Sequence, residues 1–279
     1  MNVKQLEFEN YHETSKSYDT TRVSIGQEIL LGCFASTPRP LSEQIILDGG
    51  CGTGNYIEAL KSKVATIHGL EFNEGMLRQC RQKFQADGNI HLTQGNLLHL
   101  PFEDNSFDGM MCNQVIHHLV TEENHSDKFL QLYQMMKEAY RVLHPQGVLV
   151  LNTCSHKQLL DGFWWADLIP EAMNRVSQHF PPLDIIASMF KEVGFHLRGT
   201  IVPVDAVLQG KNYLDEEGPL KKAYRDGDST WSLATEEELE TALERVRKMN
   251  ADGTMKQYLE KRENLRRHIG QTTFIYATT

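Results

Sequence analysis

Residues 45–55 read IILDGGCGTGN. Three apolar side chains, Ile45, Ile46 and Leu47, run into Asp48 and then into Gly49, Gly50, Gly52 and Gly54, after which Ile57 and Leu60 resume at helical spacing. A buried strand, a turn of residues that tolerate positive φ and a helix N-terminus make a place where backbone N–H groups and the helix dipole face a ligand. Glu71 ends the next apolar run, where a carboxylate can accept hydrogen bonds from both hydroxyls of an adenosine ribose. Asn96 and Asn113 stand at the ends of the two runs after that. His117 and His118 follow; an imidazole titrates near working pH and can act as a general base toward a hydroxyl, an amine or a carbon acid. A dinucleotide fingerprint needs a third glycine at position 55, which is Asn55, so the spacing is G-x-G-x-G instead.

The elements that must hold these residues alternate along the chain. After the first strand, residues 64–71, 90–93, 107–113 and 148–151 read as strands. Between them run a helix capped by Asn73 with Met76, Leu77, Cys80 and Phe84 on its apolar face, and a long amphipathic helix through Phe129, Leu132, Tyr133, Met136, Tyr140 and Leu143. The stretch His144 to Gly147 stops that helix. Residues 195–202 and 272–277 read as two late strands. Alternation of this kind predicts an α/β fold with a doubly wound, mostly parallel seven-stranded sheet, in which ligands sit beyond the carboxyl ends of the strands. The expected division is an N-terminal helical lid over 1–40, a core over 41–203 and 270–279, and an inserted helical cap over 204–269 covering the substrate site. Thr235 and Glu238 have the spacing of a capping box at the start of the main cap helix.

The segments DGGCGTGN, GLEFNEGML, GNLLHLPFEDNSFD, NQVIHHL and EAYRVLHPQGVLVL, taken in that order, resemble the successive motifs of the class I S-adenosylmethionine-dependent methyltransferases. Within them they are similar to the small-molecule branch that includes the ubiquinone-biosynthesis-type enzymes. The resemblance covers roughly residues 14–153. It implies S-adenosylmethionine as cofactor, with the backbone of Gly50, Cys51 and Gly52 against its amino-acid part and Asp48 orienting the turn or the ammonium group. It further implies Glu71 on the ribose, Phe72 and Met76 flanking the adenine, Asn96 and Leu97 beside the adenine amino group, and Asn113 on the methionine side. Tyr18 and Arg22 resemble the YD-x-x-R element that closes over the cofactor, where a guanidinium can pair with a carboxylate in two-pronged fashion. Asn96 stands where the family usually has Asp, and Gly49 where Leu or Ile is commoner.

Other readings compete with this one. His117 and His118 are the candidate bases; Trp164, Trp165, Tyr213 and Trp231 are candidates for an aromatic wall around the substrate. A zinc site from His117, His118 and His125 lacks a convincing spacing, and no metal is expected. An NAD-dependent oxidoreductase and a non-catalytic, cofactor-binding member of the fold are the alternatives. Proteins that methylate adenine or glutamine amides carry D/N-P-P-Y/F after the fourth strand, where this chain has NQVIHHL, and Glu122 and Glu123 are adjacent rather than set on a hairpin as arginine methylation needs. A net charge of −9 over 279 residues argues against a basic face for nucleic acid or an anionic membrane. The five scattered cysteines suggest no disulfide framework, and no apolar run reaches the length of a membrane span. A cytoplasmic enzyme acting on a small-molecule acceptor is the expectation, as monomer or homodimer.

Overall fold

The computed structural model describes residues 23–120 and 129–279. Seven strands form one sheet: β1 (Ile45–Gly49), β2 (Thr66–Glu71), β3 (Ile90–Gln94), β4 (Phe107–Asn113), β5 (Leu143–Thr153), β6 (His196–Ile201) and β7 (Thr273–Thr278). Their order is β3-β2-β1-β4-β5-β7-β6. β1 pairs in parallel with β2 on one side and β4 on the other, so the chain reverses its direction of travel across the sheet there. That switch leaves a crevice at the carboxyl ends of β1 and β4. β7 runs antiparallel between β5 and β6.

The apolar runs alternate between faces, as the period of a strand requires. Ile46, Ile67, Met111, Val148 and Val150 bury on one side with Leu30 and Phe34 of the helix Gln27–Phe34 and Ile57 and Leu60 of the helix Asn55–Leu60. Leu47, Leu70, Met110, Cys112, Leu149 and Leu151 bury on the other with the helices Leu130–Val142 and Leu183–Val193. Both faces are covered at the centre of the sheet, which is why the stretches 45–47 and 148–151 read as continuous apolar runs, whereas β6 at the edge has no buried residue. The tetrapeptide His144 to Gly147 does stop the helix, but the strand already begins at Leu143: Phe107 pairs with Leu143 across a register shift, and Gln146 takes φ 67.

Two compact units emerge, Ser24–Ser155 with Phe180–Val202 and Thr272–Thr279, and His156–His179 with Pro203–Gln271. Residues 156–179, assigned to the core on sequence, thus belong with the helical unit. The reason is local: Trp164 donates its ring N–H to the Tyr213 carbonyl at 2.5 Å and Trp165 donates to Gln209 Oε1 at 3.1 Å. The described part of the expected lid, from residue 24 on, belongs with the sheet, because Leu30 and Phe34 are fully buried on it. In the helical unit, Thr235 caps Glu238 N–H at 3.1 Å as the capping box predicts. The Glu238 carboxylate goes elsewhere, accepting the N–H groups of Glu171 (2.6 Å) and Ala172 (3.2 Å) and pairing with Arg175. It thereby serves the exposed donors of the helix Pro170–Ser177 rather than its own. Among the described residues no helix is long and apolar enough to cross a membrane.

Candidate functional site

The carboxyl ends of four adjacent parallel strands carry the residues singled out above. β1 ends in the glycine turn, β2 in Glu71, β3 just before Asn96 and β4 in Asn113. Three of the turn glycines take left-handed backbone, with φ 77 at Gly50, 55 at Gly52 and 86 at Gly54. Their surroundings differ. A Cβ on Gly50 would lie 2.7 Å from Val115, and one on Gly54 2.4 Å from the Phe84 ring. At Gly52 nothing lies within 4 Å, so this glycine faces open space while its neighbours are pressed against side chains. Exchanging Gly54 for alanine adds a ring clash to an unfavourable φ, and a loss of about 2–4 kcal/mol in urea-unfolding stability is expected; a change below 1 kcal/mol would mean that the helix yields there.

The N–H groups of the turn are not offered to a ligand in the way the sequence suggests. Gly50 and Cys51 both donate to the Leu70 carbonyl, at 2.8 and 3.0 Å, and Gly54 donates to the Cys51 carbonyl at 2.9 Å. Gly52 donates to Glu71 Oε2 at 2.9 Å. A pyrophosphate would need those donors, whereas a ligand presenting cations and hydroxyls does not. The turn uses its glycines for close approach.

Glu71 is the centre of the arrangement. Its second oxygen, Oε1, accepts the Asn73 N–H at 2.7 Å, and two carboxylate oxygens have about four lone-pair sites, enough to hold backbone donors and still accept from a ligand. Burial pushes its pKa up, and the N–H groups of Asn73, Gly52 and Phe72 pull against that. Asn73 also caps the next helix by accepting the Met76 N–H at 3.1 Å. Asp48 lies deeper, 2% exposed, with Oδ2 meeting no hydrogen-bond donor among the described residues. Its pKa is raised to about 8, first by burial and then by the charge of Glu71.

Around this pair, Phe72 projects with 56% of its surface exposed while Met76 is buried. Asn96 Oδ1 accepts the Leu98 N–H at 2.9 Å, a local turn that takes up one of its lone pairs. Leu97 is buried 2.8 Å from where a Gly49 side chain would begin, which explains the glycine in place of Leu or Ile. Arg141 fixes the loop that carries Asn96, donating to the carbonyls of Leu100 (3.0 Å) and Phe102 (2.8 Å) and pairing with Glu138 and Asp104. At the end of β4, both amide atoms of Asn113 are buried without a hydrogen-bond partner among the described residues. Unsatisfied buried amides are costly, and a ligand is one way to satisfy them.

His117 and His118 lie on the turn Ile116–Leu119, with ring centroids 4.1 Å apart, and His117 stacks on Phe180 at 4.6 Å. Tyr18, Arg22 and His125 lie outside the described residues. The four candidate wall aromatics belong to a core instead. Trp164, Trp165, Tyr213 and Trp231 are all 3% exposed or less, Trp165 packs on Trp231 at 5.3 Å, and the Tyr213 hydroxyl accepts the Trp164 N–H at 3.1 Å. Large aromatic area drives burial most readily where the ring N–H finds an acceptor, which is the condition met at Trp164 and Trp165. Sequence reasoning passed over Val115 against Gly50, and Gln114, whose left-handed backbone (φ 54) has no sequence signal. Among the described residues no group of three or more metal-ligating side chains occurs, and the five cysteines are buried and form no disulfide.

A methyltransferase-domain family model matches residues 47–151, the span that contains the carboxyl ends of β1 to β4. Demethylmenaquinone methyltransferase of Geobacillus kaustophilus is 30% identical over 172 residues, covering 53% of this chain and 69% of the relative. The enzyme of the same name from Staphylococcus haemolyticus is 37% identical over 176 residues, covering 54% of this chain and 67% of the relative. Among solved structures, a protein of Anabaena variabilis described as a methyltransferase from an antibiotic biosynthesis pathway superposes with a TM-score of 0.72 at 23% identity, over 93% of this chain and all of that one. Phosphoethanolamine N-methyltransferase 2 of Haemonchus contortus, in complex with S-adenosyl-L-methionine, superposes with a TM-score of 0.61 at 16% identity, over all of this chain and 60% of that one. The structural likenesses establish the Rossmann-like fold. With the two sequence relatives they make this chain a member of the S-adenosylmethionine-dependent methyltransferases.

Proposed function

We propose that the chain transfers the methyl group of S-adenosylmethionine to a small-molecule nucleophile by in-line displacement. The observation that carries this reading is the open face of Gly52 beside a Glu71 carboxylate with lone pairs to spare. In the proposed arrangement Glu71 accepts the ribose hydroxyls, and Phe72 and Met76 flank the adenine. Asn96 and Leu97 meet the adenine edge, and the Asn113 amide finds its partners on the methionine part. Asp48, beneath Gly50, Cys51 and Gly52, answers the ammonium group. When bound, the cofactor supplies a methyl carbon already activated by its sulfonium. What the chain must add is position: a nucleophile held in line, with water excluded. In this reading His117 and His118, on the turn Ile116–Leu119 that follows Asn113, take the proton from an acceptor that must lose one.

A small acceptor is supported by two things. The curated relatives are named for demethylmenaquinone, and the net charge of −9 offers no general attraction to nucleic acid. Titration calorimetry with S-adenosylhomocysteine and with NAD tests the cofactor part; binding of NAD alone would overturn it. Consumption of S-adenosylmethionine against panels of phenols, quinols, amines and thiols, followed by mass spectrometry of the product, tests the acceptor. Loss of turnover in His117→Ala or His118→Ala, with S-adenosylhomocysteine binding retained, is the expected mark of a base. Normal turnover in both removes them from that role.

A further inference from the structure

We propose that Gln114 is a positioning residue for methyl transfer, fixing the main chain between Asn113 and the His117–His118 turn through a buried polar network. The proposal rests on the reading that Asn113 lines the methionine end of the cofactor site. Gln114 holds φ 54, a left-handed conformation that side-chain-bearing residues rarely adopt without compensation. The compensation is visible. Its N–H donates to the Asn152 carbonyl at 2.8 Å, and its side-chain amide donates to Asn152 Oδ1 at 3.2 Å and to Thr272 Oγ1 at 2.8 Å. The Cys154 thiol donates to Gln114 Oε1 at 3.6 Å. Asn152 and Thr272 are wholly buried.

Two features connect this network to the chemistry as well as to the fold. It extends to the other flank of the site: Asn152 Nδ2 donates to the Tyr56 hydroxyl at 3.2 Å, and Tyr56 stands in the first turn of the helix that follows the glycine turn. And Gln114 is bracketed by residues whose placement matters there. Before it, Asn113 carries an amide with no partner among the described residues; after it, Val115 covers Gly50, and His117 stacks on Phe180. If the left-handed residue relaxed, Asn113 and Val115 would turn relative to each other, and the histidine turn with them. An apolar side chain in the same place would fill the volume and keep the main-chain bond to Asn152, but would lose the side-chain bonds to Asn152, Thr272 and Cys154 that compensate that angle.

The test uses the intact protein and two ligands that differ only in the methyl group and the charge it confers, S-adenosylmethionine and S-adenosylhomocysteine. Their affinity ratio, measured by titration calorimetry, reports the methyl end specifically. Gln114→Met, close in volume and unable to make the bonds, is expected to lower the affinity for S-adenosylmethionine relative to S-adenosylhomocysteine by about fivefold or more, the weight of one lost hydrogen bond. S-adenosylhomocysteine binding itself should move by less than about twofold. Thr272→Val removes a partner while leaving Gln114 in place and should shift the ratio in the same direction; it decides the matter if the first variant does not fold. Parallel losses for both ligands, or an unchanged ratio in folded variants, would show that the network serves the fold alone. Asn113→Ala separates the two readings. A ratio that shifts in Asn113→Ala but not in the network variants overturns the positioning role, and one that shifts in none of them overturns the placement of the methionine end.

Discussion

Replacing Glu71 by alanine is expected to weaken S-adenosylhomocysteine binding by roughly 1–3 kcal/mol, on the order of 5- to 150-fold in Kd. Two effects contribute. The first is the lost acceptance of the ribose hydroxyls. The second is internal: Gly52 and Asn73 lose the carboxylate that receives their N–H groups at 2.9 and 2.7 Å, so the open-faced glycine is no longer held in place. Glutamine is not a rescue at this position. Its NH2 would have to face one of those two N–H donors, and donor against donor is repulsive, so Glu71→Gln should bind no better than Glu71→Ala. The two effects are separable with an analogue of S-adenosylhomocysteine lacking one ribose hydroxyl. The wild-type protein should lose affinity on that change and Glu71→Ala should not, which leaves a coupling energy in the double cycle. Equal losses in both proteins would place the ribose away from Glu71 while leaving its support of the turn intact.

The part of this site that was legible in the sequence is the part set by local pattern. Asp48, Glu71, Asn96 and Asn113 could be placed at strand ends because each follows an apolar run whose length and termination are local properties. Asn73 as a helix cap and Thr235 as another follow from capping chemistry and are met by Met76 and Glu238 N–H groups. The misreadings have a common cause: a side chain or N–H group chose a partner distant in the chain. The N–H groups of Gly50, Cys51 and Gly52 go to Leu70 and Glu71 on the neighbouring strand. Trp164 and Trp165 look like candidates for a ligand wall until Tyr213 and Gln209, more than 40 residues on in the chain, accept their ring N–H groups. Glu238 leaves its own helix for the N-terminus of another. Gln114 is the extreme case, since nothing in the residue type announces left-handed backbone, and the bonds that make it tolerable come from β5 and from Thr272.

Asp48 sets the pH behaviour, and Asp48→Asn should reveal it in stability and in binding with opposite signs. With its pKa at about 8 in the folded protein, against an ordinary aspartate near 3.9 when unfolded, the folded state binds the extra proton between those limits. Stability therefore falls as pH rises through that window, by about 1.4 kcal/mol per pH unit, and levels off above pH 8 or so. Asparagine carries no such proton. The variant should match the wild type near pH 4 and exceed it progressively, by on the order of 5 kcal/mol at pH 8, in urea unfolding without cofactor. A constant difference across pH would show that Asp48 titrates normally. The reason to retain so costly a carboxyl is the ligand: burial and the neighbouring Glu71 keep it neutral in the empty site, and a cationic cofactor reverses that balance. Binding at pH 7 is then expected to release a proton, seen as a binding heat that changes with the ionisation heat of the buffer. Affinity for S-adenosylmethionine should rise with pH up to about 8, by as much as tenfold per unit. In Asp48→Asn the release should vanish and affinity should be lower and flat with pH. Buffer-independent heats in the wild type would put the ammonium group elsewhere, and the gain in apo stability would then stand alone as a property of the buried acid.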